Sequence, residues 1–123
     1  MTIDLVCLDF DGVILDSLDT WVKIVQYAQA NVGMGRRPVL EDFREVEDLS
    51  NYGFGRHLGI PCEVLSVWED ALKEAVRVVA SEDRAFPGMC ELVDLVAEHM
   101  SVCIVTSNFE EEVVRIFSRL QIP

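Results

Sequence analysis

Residues 3–12 read Ile3-Asp4-Leu5-Val6-Cys7-Leu8-Asp9-Phe10-Asp11-Gly12, a short apolar run that ends in two aspartates and a glycine. The run is partly β-branched and stops at turn-forming residues, so it predicts a strand that is buried on both faces. Ligands of α/β proteins bind just beyond the carboxyl ends of such strands, where Asp9 and Asp11 stand. Side chains alternate along a strand, so both carboxylates should point in a similar direction, and Gly12 lets backbone N–H groups approach an anion. Carboxylate oxygens grouped in this way suit Mg²⁺. The alternative is that the two aspartates only cap a turn.

The rest of the chain predicts helices and one further buried strand. Apolar residues recur at helical spacing after the first strand, and glycines interrupt the pattern near residues 51–55, which predicts a loop or a short helical turn there. The predicted elements are a helix over 18–32, a shorter helical stretch after Pro38, a helix from Pro61 to near Ser81, a helix over 89–100, a strand over 101–106, and a last helix over 109–120 capped by Asn108.

Helical patterns that follow each of two buried strands predict an α/β core with a parallel pair of strands. The helices between the strands are too many for a simple crossover, so they predict an insert above the end of the first strand. Residues 1–15 and 87–123 are therefore expected to form the core and residues 16–86 a helical insert.

Composition and charge narrow the classes of function. The 123 residues carry a net charge of −12, which opposes binding to nucleic acid and to anionic membranes. No apolar run approaches the roughly 20 residues of a membrane span, and the first residues lack the basic start of a signal peptide, so a soluble, cytoplasmic protein is expected. The four cysteines show no metal-binding spacing and are predicted to be buried free thiols.

Three segments, taken together, resemble one family. Residues 5–17 resemble the first motif of the haloacid dehalogenase-like hydrolases, a hydrophobic strand followed by DxDG[VT] and then an acidic-small pair. Phe86-Pro87-Gly88 resembles the segment that leads the chain out of a helical cap, and residues 103–108 resemble the second motif, an apolar strand ending in Thr or Ser. The resemblance implies a Rossmann-like core with a helical cap, of the branch that resembles phosphoglycolate phosphatase and β-phosphoglucomutase.

The resemblance also implies roles for individual residues. Asp9 matches the nucleophile, which becomes an aspartyl phosphate, and Asp11 matches the general acid and base. The Asp9 side chain and the Asp11 backbone carbonyl would hold Mg²⁺, and the Thr106 hydroxyl would bind a phosphoryl oxygen with help from N–H groups around Ser107 and Asn108. These roles imply a Mg²⁺-dependent phosphatase that acts on a small phosphorylated metabolite. Because family dehalogenases carry a different residue at the position of Asp11, dehalogenation is not expected.

The sequence departs from the family after the second motif. Family members have a third-motif lysine and fourth-motif acidic residues, and nothing here matches them, since Lys23 and Lys73 both lie in the insert. Two parallel strands would also leave open edges, which a C-terminal part, a second copy or a partner would have to complete. A truncated or partner-completed module without catalysis, and a phosphomutase, therefore remain alternatives to the phosphatase.

Overall fold

The computed structural model describes residues 2–79 and 82–122, in which two strands and six α-helices form. The predicted α/β class with a parallel pair of strands is confirmed. In chain order the elements are β1 (Leu5–Asp9), α1 (Leu18–Val32), α2 (Asp42–Glu45), α3 (Asn51–His57), a 3₁₀ turn (Cys62–Val64), α4 (Leu65–Val78), α5 (Met89–Ala97), β2 (Ser101–Val105) and α6 (Glu110–Leu120).

The two strands lie side by side with their carboxyl ends level. Leu5 pairs with Ser101 and Asp9 with Val105, so the segments that follow both strands leave the same edge of the sheet. On one face Leu8 and Ile104 pack against a buried cluster, whose members are Phe10, Ile14, Leu15, Val93, Ile116 and Ile122. The opposite face of β1 is exposed, with Leu5 at 53 % of its full accessibility. The prediction of a strand buried on both faces is therefore wrong, because the described residues cover only the face toward α5 and α6.

The described chain divides into two compact units. One contains residues 2–18 and 82–122 and holds both strands, and the other contains residues 19–79 and is helical. The helical unit has its own core, in which Trp68 is fully buried and donates a hydrogen bond of 2.7 Å from Nε1 to the carbonyl oxygen of Asn51. No helix within the described residues is both long and apolar enough to cross a membrane.

Two glycines belong to a seven-residue helix where the sequence predicted a loop or a short helical turn. Gly53 and Gly55 lie inside α3, which begins after Ser50, whose hydroxyl accepts a hydrogen bond of 3.0 Å from the Gly53 N–H. A Cβ at position 55 would lie 2.7 Å from Cδ1 of Trp68 and 2.8 Å from Cδ2 of Leu65. Gly55 therefore permits close packing of α3 on α4, and this tertiary contact outweighs its low helix propensity.

Other boundaries shift by smaller amounts. The stretch after Pro38 contains only the four-residue helix α2, and a 3₁₀ turn precedes α4, which ends at Val78. The predicted helix end near Ser81 lies outside the described residues. The residue preceding α6 is Phe109 rather than Asn108, because the Asn108 side chain is held by other groups described below.

The cysteines are free thiols, as predicted, but none is fully buried. Cys7 and Cys62 are exposed, whereas Cys90 and Cys103 are half-buried. Cys7 lies on the uncovered face of β1 and Cys62 in the 3₁₀ turn, so an apolar neighbourhood in sequence does not bury either of them.

Candidate functional site

Asp9 ends β1 with its carboxylate at the edge of the sheet. The residue is exposed, and Oδ1 accepts a hydrogen bond of 2.7 Å from the Phe10 N–H. The second oxygen, Oδ2, accepts no hydrogen bond from any residue in 2–79 or 82–122. A carboxylate oriented by a backbone N–H, with one oxygen toward solvent, has the geometry that a nucleophile or a metal ligand needs.

Asp11 is held by two side chains that come from opposite ends of the chain. Its Oδ1 accepts a hydrogen bond of 2.7 Å from the Ser17 hydroxyl, and its Oδ2 accepts one of 3.1 Å from Nδ2 of Asn108. Ser17 is only 3 % exposed, so this donor is fixed in position. The bond to Asn108 spans 97 positions in sequence and joins the loop after β1 to the loop after β2.

The loop after β2 is closed by its own polar groups. The Thr106 hydroxyl oxygen accepts a hydrogen bond of 3.0 Å from the Asn108 N–H, and Oδ1 of Asn108 accepts one of 2.7 Å from the Phe109 N–H. A hydroxyl that accepts a bond still has its own proton to donate. Thr106 is half-buried and Ser107 is exposed, so both hydroxyls are candidates for binding an anion at this edge.

Two backbone N–H groups from the predicted phosphate site already have partners. Gly12, at φ +81°, donates its N–H to the Leu15 carbonyl oxygen at 2.9 Å, and the Asn108 N–H is donated to Thr106. The turn is further tied by the Phe10 carbonyl oxygen, which accepts from Ile14 at 2.9 Å and from Leu15 at 3.0 Å. In this geometry an anion would be bound first by the side chains of Thr106 and Ser107.

The donor set at the sheet edge fits Mg²⁺. Carboxylate and carbonyl oxygens are the ligands this ion takes, usually one or two carboxylates together with waters and phosphate oxygens. Asp9 presents such an oxygen to solvent. The electrostatic setting is otherwise acidic, because Glu110, Glu111 and Glu112 occupy the first turn of α6, where Glu112 forms an ion pair with Arg115.

The second polar cluster lies wholly in the helical unit. Ligand atoms of Asp42, Glu45 and His57 lie within 4.8 Å of one another, a spacing that could hold a metal ion. A positively charged side chain already occupies this position, since the guanidinium of Arg36 donates from Nη1 to Oδ2 of Asp42 at 2.9 Å and from Nη2 to Oδ1 of Asp42. Val39 N–H lies 2.7 Å from Oδ2 and His57 Nε2 lies 3.0 Å from Oδ1.

Both oxygens of the buried Asp42 carboxylate therefore have hydrogen-bond partners. Arg36 above all, with Val39 and His57, holds the pKa of Asp42 well below its usual range against the opposing effect of burial. Asp42 is 2 % exposed, whereas the Arg36 side chain is 51 % exposed. We interpret this cluster as an ion pair that joins the segment before α2 to α3, rather than as a metal centre.

Sequence reasoning missed two features of these clusters. Ser17 was part of the acidic-small pair in the first motif, but its side chain was given no role, and its position six residues from Asp11 was the available signal. The Arg36–Asp42–His57 cluster had no such signal, because its members are brought together only by the packing of the helical unit.

Comparisons with known proteins place this site in a family. A family model described as haloacid dehalogenase-like hydrolase matches residues 6–123. Among curated proteins, none gives a significant match.

Solved structures share the fold at low sequence identity. A haloacid dehalogenase-like family hydrolase from Streptococcus pneumoniae is 16 % identical, with a TM-score of 0.80 over 98 % of this chain and 57 % of its own. A predicted phosphoglycolate phosphatase from Haemophilus somnus is 14 % identical, with a TM-score of 0.77 over 97 % of this chain and 58 % of its own. A candidate β-phosphoglucomutase from Thermotoga maritima is 20 % identical, with a TM-score of 0.60 over 98 % of this chain and 57 % of its own. The chain thus spans 57 to 58 % of the length of these three structures.

Proposed function

The chain belongs to the haloacid dehalogenase-like hydrolase family, and from that premise we propose that it carries out Mg²⁺-dependent hydrolysis of a small phosphorylated metabolite. The observation that supports this most directly is the hydrogen bond of 3.1 Å from Asn108 to Asp11, which brings the loops after β1 and β2 together beside Asp9. The small phosphorylated metabolite is the substrate class that the resemblance to the family implies, and the insert over 16–86 is proposed as the family's helical cap.

In the proposed reaction Asp9 is the nucleophile. Its exposed carboxylate oxygen attacks phosphorus, an aspartyl phosphate forms, and the bond from phosphorus to the leaving alcohol breaks. Asp11 donates a proton to that alcohol and later removes one from the water that hydrolyses the aspartyl phosphate. The water adds to phosphorus, and inorganic phosphate leaves as the Asp9 carboxylate is restored.

The partners of Asp11 suit a group that must both give and take a proton. A serine hydroxyl can donate or accept, so Ser17 can bond to Asp11 in either protonation state, whereas the amide N–H of Asn108 can only donate. Ser17 and Asn108 would therefore hold the carboxyl group in place while its proton moves.

The remaining residues would bind the phosphoryl group and the metal. The hydroxyls of Thr106 and Ser107 would donate to phosphoryl oxygens. The Asp9 side chain and the Asp11 backbone carbonyl would hold Mg²⁺, whose charge offsets the repulsion between the carboxylate and the phosphate.

The test is Mg²⁺-dependent release of p-nitrophenol from p-nitrophenyl phosphate by the purified chain. We expect turnover that is abolished by EDTA and by Asp9→Asn, and that Glu63→Gln, an exposed carboxylate in the helical unit, leaves unchanged. Equal turnover in the wild type and in Asp9→Asn would refute the proposal. A folded chain without turnover would favour the module without catalysis.

Phosphomutase activity is the second candidate, since one of the similar structures is a candidate β-phosphoglucomutase. A mutase passes the phosphoryl group to a second hydroxyl of a sugar phosphate instead of to water. Following a hexose phosphate by ³¹P NMR separates the two, because hydrolysis gives inorganic phosphate and transfer gives a new sugar phosphate resonance.

A further inference from the structure

Two thiols stand opposite each other in the sheet. Cys7 of β1 and Cys103 of β2 are partners in the parallel register. Neighbouring strands are about 4.8 Å apart, and register partners project to the same face. Desolvation and a hydrogen bond with the Cys103 thiol raise the pKa of Cys7. The two thiols are therefore neighbours across the pair of strands.

The face that carries this pair is open. Cys7 is exposed and Cys103 is half-buried, whereas their neighbours Leu8 and Ile104 point to the other face and pack against the core. The remaining cysteines lack such a partner in the described structure, since Cys62 lies in the other unit and Cys90 packs against the core from α5. Among the described residues, Cys7 and Cys103 are thus the one pair of adjacent thiols, with Cys7 exposed and Cys103 half-buried.

We propose that Cys7 and Cys103 form an oxidative modification site that closes to an intrachain disulfide when it meets a peroxide. One sulfur attacks a peroxide oxygen, the O–O bond breaks, and a sulfenic acid and one water form. The second sulfur then attacks the sulfenic sulfur, the S–S bond forms, and the hydroxyl leaves as a second water. Both thiols lose their hydrogen, and hydrogen peroxide is reduced to two waters.

The geometry permits this bond and makes it reversible. Disulfides bridge Cα atoms about 4.4–6.8 Å apart, which includes the spacing of paired strands. Their Cβ atoms are about 3.5–4.5 Å apart, so two parallel side chains must lean together to close the bond. Strained disulfides are reduced more readily, so glutathione should reopen this one.

A disulfide between Cys7 and Cys103 would form close to the sheet edge that carries the candidate site residues. Cys7 lies two residues before Asp9 on the same face of β1, and Cys103 lies three residues before Thr106. A bond between them would draw together the two strands that carry those side chains. The proposal itself does not depend on the proposed phosphatase activity.

The experiment is oxidation of the native chain with hydrogen peroxide, followed by thiol counting and peptide mapping by mass spectrometry. We expect the free thiols to fall from four to two, with one cross-linked peptide that joins Cys7 to Cys103, and to return to four with reduced glutathione. Cys62→Ser and Cys90→Ser should each keep the cross-link, whereas Cys103→Ser should lose it.

Three results would overturn the proposal, namely a main cross-link to Cys62 or Cys90, a disulfide between two chains, or oxidation to sulfinic acid without any cross-link. Peptide mapping of the wild-type chain gives this answer even where a serine variant fails to fold. Oxidation in concentrated urea is the reference for random pairing, and a native pattern equal to it would also refute the assignment.

Discussion

Replacing Asp42 with asparagine should destabilise the helical unit by about 3 kcal/mol. Asp42 is 2 % exposed and accepts hydrogen bonds from Arg36 and from the Val39 N–H. Removing one partner of a buried ion pair costs about 3–5 kcal/mol. The lower end of this range of free energies applies here, because the Arg36 side chain is 51 % exposed and water can solvate it once its partner is removed. The asparagine amide has nearly the same shape as the aspartate carboxylate, so no cavity adds to the loss of stability. Its NH₂ group, however, would face the N–H donors that now bind Asp42.

The assay is urea unfolding followed by tryptophan fluorescence. Both tryptophans, Trp21 and Trp68, lie in the helical unit, so their emission reports on that unit alone. The free energy of unfolding of a unit of this size is expected to fall by about 1 kcal/mol per molar urea. The urea concentration at the midpoint of unfolding should therefore fall by about 3 M. The control is Glu41→Gln, which breaks an ion pair with Arg44 in which both side chains are more than half exposed and should cost less than about 1 kcal/mol. Equal losses in the two variants would refute the reasoning.

Three further predictions follow from the same contacts. The stabilisation from Asp42 should be lost on acidification. Its folded-state pKa lies below the unfolded value of about 4, so its contribution is present above pH 4 and declines as the pH falls below 4. The difference in urea midpoint between the wild type and Asp42→Asn should therefore be smaller at pH 3 than at pH 7. Gly55→Ala should destabilise the helical unit by about 1–3 kcal/mol, because the added Cβ would lie 2.7 Å from Trp68, and an unchanged thermal midpoint would contradict this. Asn108→Ala removes the hydrogen bond from Asn108 to Asp11. In the proposed mechanism Asp11 moves the proton, and misplacing such a group by about 1 Å costs about 100-fold in turnover, so kcat for p-nitrophenyl phosphate should fall by that order while the circular dichroism spectrum stays unchanged.

Much of the fold could be predicted from local patterns. The bounds of α1 follow from apolar residues at helical spacing between Leu18 and Val32. The strand predicted over 101–106 forms as β2 over 101–105, one residue shorter. Both signals act within one element, so no knowledge of distant neighbours is needed. The sequence left a loop or a short helical turn open at α3, because glycines are unfavourable in a helix by intrinsic propensity, and only the neighbouring Trp68 explains Gly55.

The candidate site divides in the same way. Motif spacing is a property of the chain, so the sequence alone predicted that Asp9 and Asp11 stand at the end of one strand and Thr106 at the end of another. The contact of Asn108 with Asp11, the pairing of Cys7 with Cys103 and the covered face of β1 became visible only in the folded chain. Strand register and helix packing set these contacts, and both arise from interactions between residues about 100 positions apart, which no local pattern encodes.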